Sequence, residues 1–370
     1  MLNKINVLTK VNKQNFTISC LTLALIGCGS SSDDNSDAAN TNNGTGDVID
    51  ISNVEFTNTS ANCASYDGSY ESNVTDVNRN VGFQGSVTIT SDSSNCYFNA
   101  NEIPNHDFHD SESMFATNVS EQSGSYQVVK SPSAAAQNTI LNLGTTNAIF
   151  LNGVTVDLLA AACYDEGNEP LGQEKIGCGP DQVNNPWRYD PMSSLNSFGT
   201  DSHNAHAQPD GTYHYHGSPL AMYEQNCAVE NSVSPVIGFA ADGFPIYGPC
   251  FNDGGNVREV SSSYILKNSG GTREAVIGYT TPVANVGSIA SNNYDGQFRG
   301  DYEYSAAAGD LDECNGMLVD GQYGYYLTNS YPWIMGCYKG TVDSSFVSSG
   351  PAAVLQSFDN GEKVLHSHFH

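Results

Sequence analysis

Ile149-Phe150-Leu151-Asn152-Gly153-Val154-Thr155-Val156 is the stretch on which the fold turns. Two short runs of β-branched and aromatic residues flank Asn-Gly, the dipeptide best suited to a two-residue hairpin turn because both central residues tolerate positive φ. Outward from it the pattern repeats. Ser86–Thr90 (SVTIT) and Ser125–Val129 (SYQVV) read as further strands. Only Ala134–Ala136 and Leu158–Ala162 (LLAAA) suggest helix, and no amphipathic stretch exceeds three turns. Of 370 residues, 36 are Gly, 20 Tyr and 15 Phe, while only 14% are charged, so turns and aromatic strands outweigh helix formers. The sequence predicts an all-β or β-rich α+β fold, a single disulfide-stapled globular domain behind a flexible tether.

The N-terminus reads as an address. Lys4, Lys10 and Lys13 precede an apolar core, Phe16–Gly27, that is shorter than the roughly 20 residues needed to span a bilayer. Leu25-Ile26-Gly27-Cys28 resembles a bacterial lipobox, which implies cleavage after residue 27 and acylation of Cys28. Several acyl chains on one residue anchor firmly, where a single chain binds only marginally. Gly29, rather than Asp, follows the cysteine; by resemblance to Gram-negative sorting this implies the outer membrane. The expected location is therefore the bacterial cell envelope, with the membrane engaged through the acyl anchor. Residues 28–52 are expected to form a Ser/Asn/Asp tether, since 29–47 hold no aromatic or large aliphatic residue. The body is expected to comprise a strand-rich part (53–122), a main domain (123–345) whose bounds rest on the family resemblance given below, and a C-terminal segment (346–370) with a His-rich end.

Charge narrows the partners. Thirteen Lys and Arg stand against 40 Asp and Glu; with three basics and no acid before Cys28, the remainder holds ten against 40, a net −30. Such a surface repels phosphate backbones and excludes nucleic acid as an unassisted partner, while it concentrates cations. Beyond Cys20 in the leader and Cys28, eight cysteines remain, an even number that in an exported chain reads as disulfides. Short loops close most easily, which favours pairing neighbours: Cys63–Cys96, Cys163–Cys178, Cys227–Cys250 and Cys314–Cys337. C-x-x-C, G-x-S-x-G, P-loop and H-E-x-x-H are all absent from the sequence, so zinc ribbons, thioredoxin-type centres and the common hydrolase and nucleotide sites lack support.

The nine histidines fall in three groups: His106 and His109; His203, His206, His214 and His216; and His366, His368 and His370. In a strand, residues two apart share a face, so His214 and His216 project together while Tyr213 and Tyr215 point away. The turn at Pro209-Asp210-Gly211 can fold His203 and His206 back toward that pair. Neutral imidazole is the commonest protein ligand for Zn and Cu, so His203, His206, His214 and His216 form a candidate site for a divalent transition metal, Zn or Cu. Asp201, Asp210 and Asp242 are candidate acceptors for the outer ring N–H groups, although each also suits a turn. His106 could add a ligand from a distant segment or decorate a loop. The terminal His-x-His-x-His could chelate loosely. No catalytic residue can be assigned. The competing reading is a non-enzymatic adhesion or ligand-binding module with structural histidines, its tyrosines supplying contact area.

An internal echo adds organisation. Asp210–His216 (DGTYHYH) aligns without a gap to Asp320–Tyr326 (DGQYGYY), with both histidines replaced in the second copy. Each copy precedes an aromatic-Pro segment ending in Gly-Cys or nearly so, Phe244–Cys250 and Tyr331–Cys337.

At these residues the chain resembles the YHYH domain family. Tyr213-His214-Tyr215-His216-Gly217 is the name motif, and Asp201–Gly211, Gly238–Gly248, Asn152-Gly153-Val154, Leu311–Gly316 and Tyr331–Cys337 fit the same pattern. The resemblance spans about residues 123–340, with Ile103–His106 as an upstream extension. It implies the domain and supplies no reaction. Gly324 and Tyr326 stand where a histidine pair would make a fuller site; if both strands supply ligands elsewhere in the family, metal binding here is expected to be weaker or mononuclear.

Overall fold

A computed structural model describes residues 47–348 apart from 111–112, 174–176, 225 and 231. The leader, Cys28, most of the tether and the terminal histidines lie outside the described residues. Among those described, no helix is long and apolar enough to cross a membrane.

The fold is β-rich, with one four-residue α-helix, Cys227–Glu230, and four short 3-10 turns among the described residues. Two sheets carry the core. The first has five strands, Ile49–Asp50, Gly68–Asp76, Val81–Ser91, Asn95–Ala100 and Gly124–Val129, in chain order. The second has eight, ordered Gly316–Val319, Gln322–Tyr326, Pro245–Tyr247, Val236–Ala240, Ala148–Phe150, Thr155–Val156, Tyr213–Tyr215 and Ala205–Ala207. Buried Val87, Ile89, Phe98 and Val128 of the first sheet join Phe150, Tyr215, Phe239 and Tyr325 of the second in one apolar core. All four disulfides close between sequence neighbours, as loop closure favours.

Three expectations change. The tether ends sooner than residue 52: Ile49–Asp50 pairs in parallel with Tyr70–Glu71, Ile51 N–H donates to Glu71 O at 2.8 Å and Ile51 is buried, so backbone pairing and one apolar side chain fasten the segment while Val48 and Ile49 stay exposed. At the other end Phe346 is buried and Val347 bridges Thr145, so the body runs past 345. Neither Leu158–Ala162 nor Ala134–Ala136 is helical. In the former, Leu158 N–H donates to Asn147 Oδ1 at 2.7 Å, while the Ala161 and Ala162 carbonyls accept from Cys178 and Tyr189. Long-range partners have taken the groups a helix would use.

The eight-stranded sheet is built twice. Phe150 N–H reaches Val154 O and Gly153 N–H reaches Phe150 O, both at 2.9 Å; Ala240, Phe244 and Gly243 repeat this at 2.9 and 2.8 Å. Gly153 and Gly243 have φ of 83° and 89°, which glycine alone adopts without strain. The two hairpins pair through Gly238 with Phe150, Phe239 with Ile149 and Ala240 with Ala148, a register centred on Ile149–Phe239. Outside them, Tyr215 runs parallel to Val156 as Tyr325 runs parallel to Ile246. Asn204 and Asn315 open the outer hairpins in left-handed conformations (φ 62° and 67°), and their carbonyls accept from His216 and Tyr326 N–H. The DGxYxYx echo is thus a true structural repeat. The aromatic-Pro part is not: Pro245–Tyr247 is a strand, whereas Tyr331–Met335 is a loop. The segment corresponding to Phe244-Pro245 is Val154-Thr155.

Candidate metal centre

His214 lies on the Tyr213–Tyr215 strand and faces His206 directly across the antiparallel pair with Ala205–Ala207. His216 follows one residue past the strand, on the same side as His214. The three rings form a propeller: every pair of centroids is 4.7 Å apart, with interplanar angles of 68°, 85° and 76°. Their ligand atoms lie within 4.8 Å of one another. His216 Nε2 is 2.9 Å from His206 Nε2 and 3.1 Å from His214 Nε2. All three residues are buried.

Backbone carbonyls set two tautomers. His206 Nδ1 meets Phe198 O at 2.7 Å and His214 Nδ1 meets Thr212 O at 3.3 Å. A carbonyl only accepts, so each Nδ1 carries the proton and each Nε2 offers a lone pair. Both lone pairs point at His216 Nε2, which can supply a proton to one of them at most while the rings are neutral. Burial keeps His214 neutral, pushing it down to about 4, although the Thr212 carbonyl and then Asp210 pull the other way. A single cation would satisfy all three nitrogens. Tetrahedral Zn–N bonds of about 2.0–2.1 Å put nitrogens about 3.3 Å apart, a few tenths beyond the spacing here, so the donor set fits such an ion.

The opposite face of the strand holds it in register. Tyr213 OH donates to Asp201 Oδ2 at 2.9 Å. Tyr215 OH donates to His106 Nε2 at 2.6 Å and accepts from Asn152 Nδ2 at 3.0 Å, while His106 Nδ1 donates to Asp107 O at 2.8 Å. The second half of the sheet mirrors this with Tyr323 on Asp312 and Tyr325 on Asp242.

Of the four expected ligands, the structure brings three together. His203 stands apart: its ring lies 3.9 Å from that of His106, on the tyrosine side. The left-handed turn at Asn204 separates it from His206. His106 is likewise committed to Tyr215 and adds no ligand. None of the three expected carboxylates meets a triad ring. Asp201 accepts from the N–H groups of His109, His203 and Ala205 and from Tyr213. Asp210 caps Thr212 N–H in its turn. Asp242 lies in the other half, accepting from Tyr325 at 2.5 Å and Gly340 N–H at 2.8 Å. The loop carbonyls of Phe198 and Thr212 were close enough to serve two of the rings, leaving the acids to the tyrosines and turns.

In the second half the triad positions are occupied by Met317, Gly324 and Tyr326. Tyr326 and Met317 pack there with Tyr247, Phe251, Val260 and Leu311 in a separate apolar cluster. The imidazoles of one half are thus replaced by a small apolar core in the other, leaving one three-histidine cluster among the described residues. The echo of Asp210–His216 in Asp320–Tyr326 marked the outer strands, but sequence reasoning did not extend the repeat to the inner hairpins, whose Asn-Gly and Asp-Gly turns share little beyond their glycine.

These features define a disulfide-stapled β protein with a buried three-histidine centre built on one half of a duplicated sheet. The sequence pattern described as YHYH protein matches residues 125–340, and the chain belongs to that family. The match begins within the last strand of the first sheet, and residues 47–124 lie outside the matched span. Comparison with curated proteins and with solved structures gives no match.

Proposed function

We propose that the chain binds one divalent transition metal ion, Zn or Cu, through His206, His214 and His216. The observation that carries this reading is the pair of lone pairs aimed at a single Nε2, an arrangement a proton serves poorly and a cation serves well. The carbonyls behind His206 and His214 act as the outer partners that metal-bound imidazoles ordinarily have. Burial of all three rings favours an ion held to organise the fold over one open to bulk substrate. Metal analysis of the purified full chain tests the reading: about one ion per chain supports it. An ion-free wild type overturns it and leaves the histidines structural, in a binding module.

We further propose that the protein is an envelope lipoprotein, anchored through Cys28 to the outer membrane. The basic flank, apolar core, Leu25–Cys28 junction and acidic, uncharged-polar tether support this. Cys28→Ser should leave an uncut precursor or a protein lost from the detergent-extracted membrane fraction; normal processing and fractionation of that variant would contradict it.

A further inference from the structure

The two halves of the sheet differ at one further position beside the triad. Asp157 follows Val156, which pairs with Tyr215; Tyr247 follows Ile246, which pairs with Tyr325. The two residues therefore hold corresponding places. In the second half the side chain at this place covers the triad-equivalent positions. Tyr247 stacks on Tyr326 at 5.1 Å and 22°, and a Cβ added to Gly324 would lie 2.4 Å from its Cε2. Tyr326 and Gly324 correspond to His216 and His214. The correspondence therefore places the side chain at position 157 on the sheet face that carries His214 and His216, where Asp is shorter than the Tyr of the other half.

Backbone pairing agrees. Asp157 N–H donates to Tyr215 O at 3.0 Å, continuing the parallel ladder, so alternation puts Thr155 and Asp157 on the face of His214 and His216. Asp157 Oδ2 accepts from Gln208 Nε2 at 3.0 Å. Gln208, two residues beyond His206, comes from the same face of its strand. Asp157 Oδ1, in contrast, is buried and meets no hydrogen-bond donor among the described residues. Burial pushes this carboxyl up to about 7, against the Gln208 hydrogen bond, the neighbouring Leu159 backbone and the charge of Arg188. A buried carboxylate oxygen without a donor is costly and calls for an account. Direct ligation is not that account, because the donor atoms that converge are those of the three histidines alone.

We propose that Asp157 is a positioning residue of the metal centre, its Oδ1 accepting a hydrogen bond from the water that completes the coordination of an ion held by His206, His214 and His216. The inference rests on the metal reading of the triad. It supplies the missing donor to Oδ1 and gives a tetrahedral ion its fourth ligand. Gln208 holds the carboxyl in place from behind.

Co²⁺ titrated into the metal-stripped full chain tests it, read by calorimetry and by the visible spectrum of the ion. Wild type and Asp157→Asn should each bind one Co²⁺. The variant should bind it about 10–100-fold more weakly, as loss of an outer partner does, with a shifted visible band, and Asp157→Glu should recover part of the affinity. Thermal melting of the stripped proteins checks that the variant folds; Asp157→Ser, read the same way, replaces it if it does not. Wild-type affinity and spectrum in Asp157→Asn would overturn the role of Asp157 while leaving the metal centre standing. Wild type that takes up no Co²⁺ would overturn the metal reading itself.

Discussion

His106→Gln should change how the fold responds to acid. His106 is 2% exposed, and its imidazole is pushed from 6.5 down to about 3, first by burial and then by the nearby His203, with the Asp107 carbonyl and Asp110 opposing. Because Tyr215 OH donates to Nε2, only the neutral ring suits the native hydrogen bonds. The folded value lies below the unfolded one, so its contribution is fully present above about pH 6.5 and is lost as the pH falls toward 3. Each pH unit in that window costs about 1.4 kcal/mol, so the loss at pH 4.5 is about 3 kcal/mol, and about 5 kcal/mol over the whole range. Glu102 opposes this: burial raises its carboxyl from 4.5 to about 7, so its share is lost as the pH rises through that range. The wild-type curve alone therefore hides the term, and the difference between proteins exposes it. Glutamine keeps an acceptor for Tyr215 and removes the titration. Urea unfolding at half-unit steps from pH 7 to 3.5 should show wild type losing stability more steeply than His106→Gln, by about one proton's worth. Parallel curves would refute the assignment of a neutral, buried His106.

Gly153→Ala should destabilise more than Gly321→Ala, although both glycines have φ of 83°. At Gly321 the added Cβ meets nothing within 4 Å, leaving the backbone cost of about 1–2 kcal/mol; at Gly153 it lies 2.8 Å from Ala100 Cβ and 3.0 Å from Val87 Cβ, adding about 1–3 kcal/mol. Equal denaturation midpoints would mean the two sheets do not meet at this turn. Alkylation without reductant, followed by mass spectrometry, should label none of Cys63, Cys96, Cys163, Cys178, Cys227, Cys250, Cys314 and Cys337 in folded protein. Two or more labelled thiols there would contradict the four bridges.

Local periodicity made part of this molecule legible. Asn152-Gly153 announced its hairpin, although the chain turns over the three residues Leu151–Gly153, with Gly153 alone at positive φ and Asn152 Oδ1 accepting from Val154 N–H. His214-x-His216 announced a shared face because strand alternation needs no tertiary information. The disulfides followed from short-loop closure. What failed depended on distant partners. Whether His203 or His206 would join the pair hinged on one left-handed residue, Asn204, which sequence spacing does not reveal. Asp201 and Asp242 looked like partners for imidazoles, but tyrosine hydroxyls claimed them from neighbouring strand ends. Leu158–Ala162 looked helical because its composition is; its carbonyls are spoken for by Cys178 and Tyr189. Asp157 carried no signal by itself, and only comparison with Tyr247 across the duplicated sheet gave it a place.

The most direct test of the central claim is the metal content of the purified full chain, measured by elemental mass spectrometry beside that of His214→Ala with His216→Ala. Wild type should hold about one Zn or Cu per chain and the double variant none, with wild type alone melting at higher temperature when the ion is supplied. Truncation after Leu365 should leave the single tight ion in place. A wild type without metal, or a double variant that retains one tightly held ion, would contradict the account.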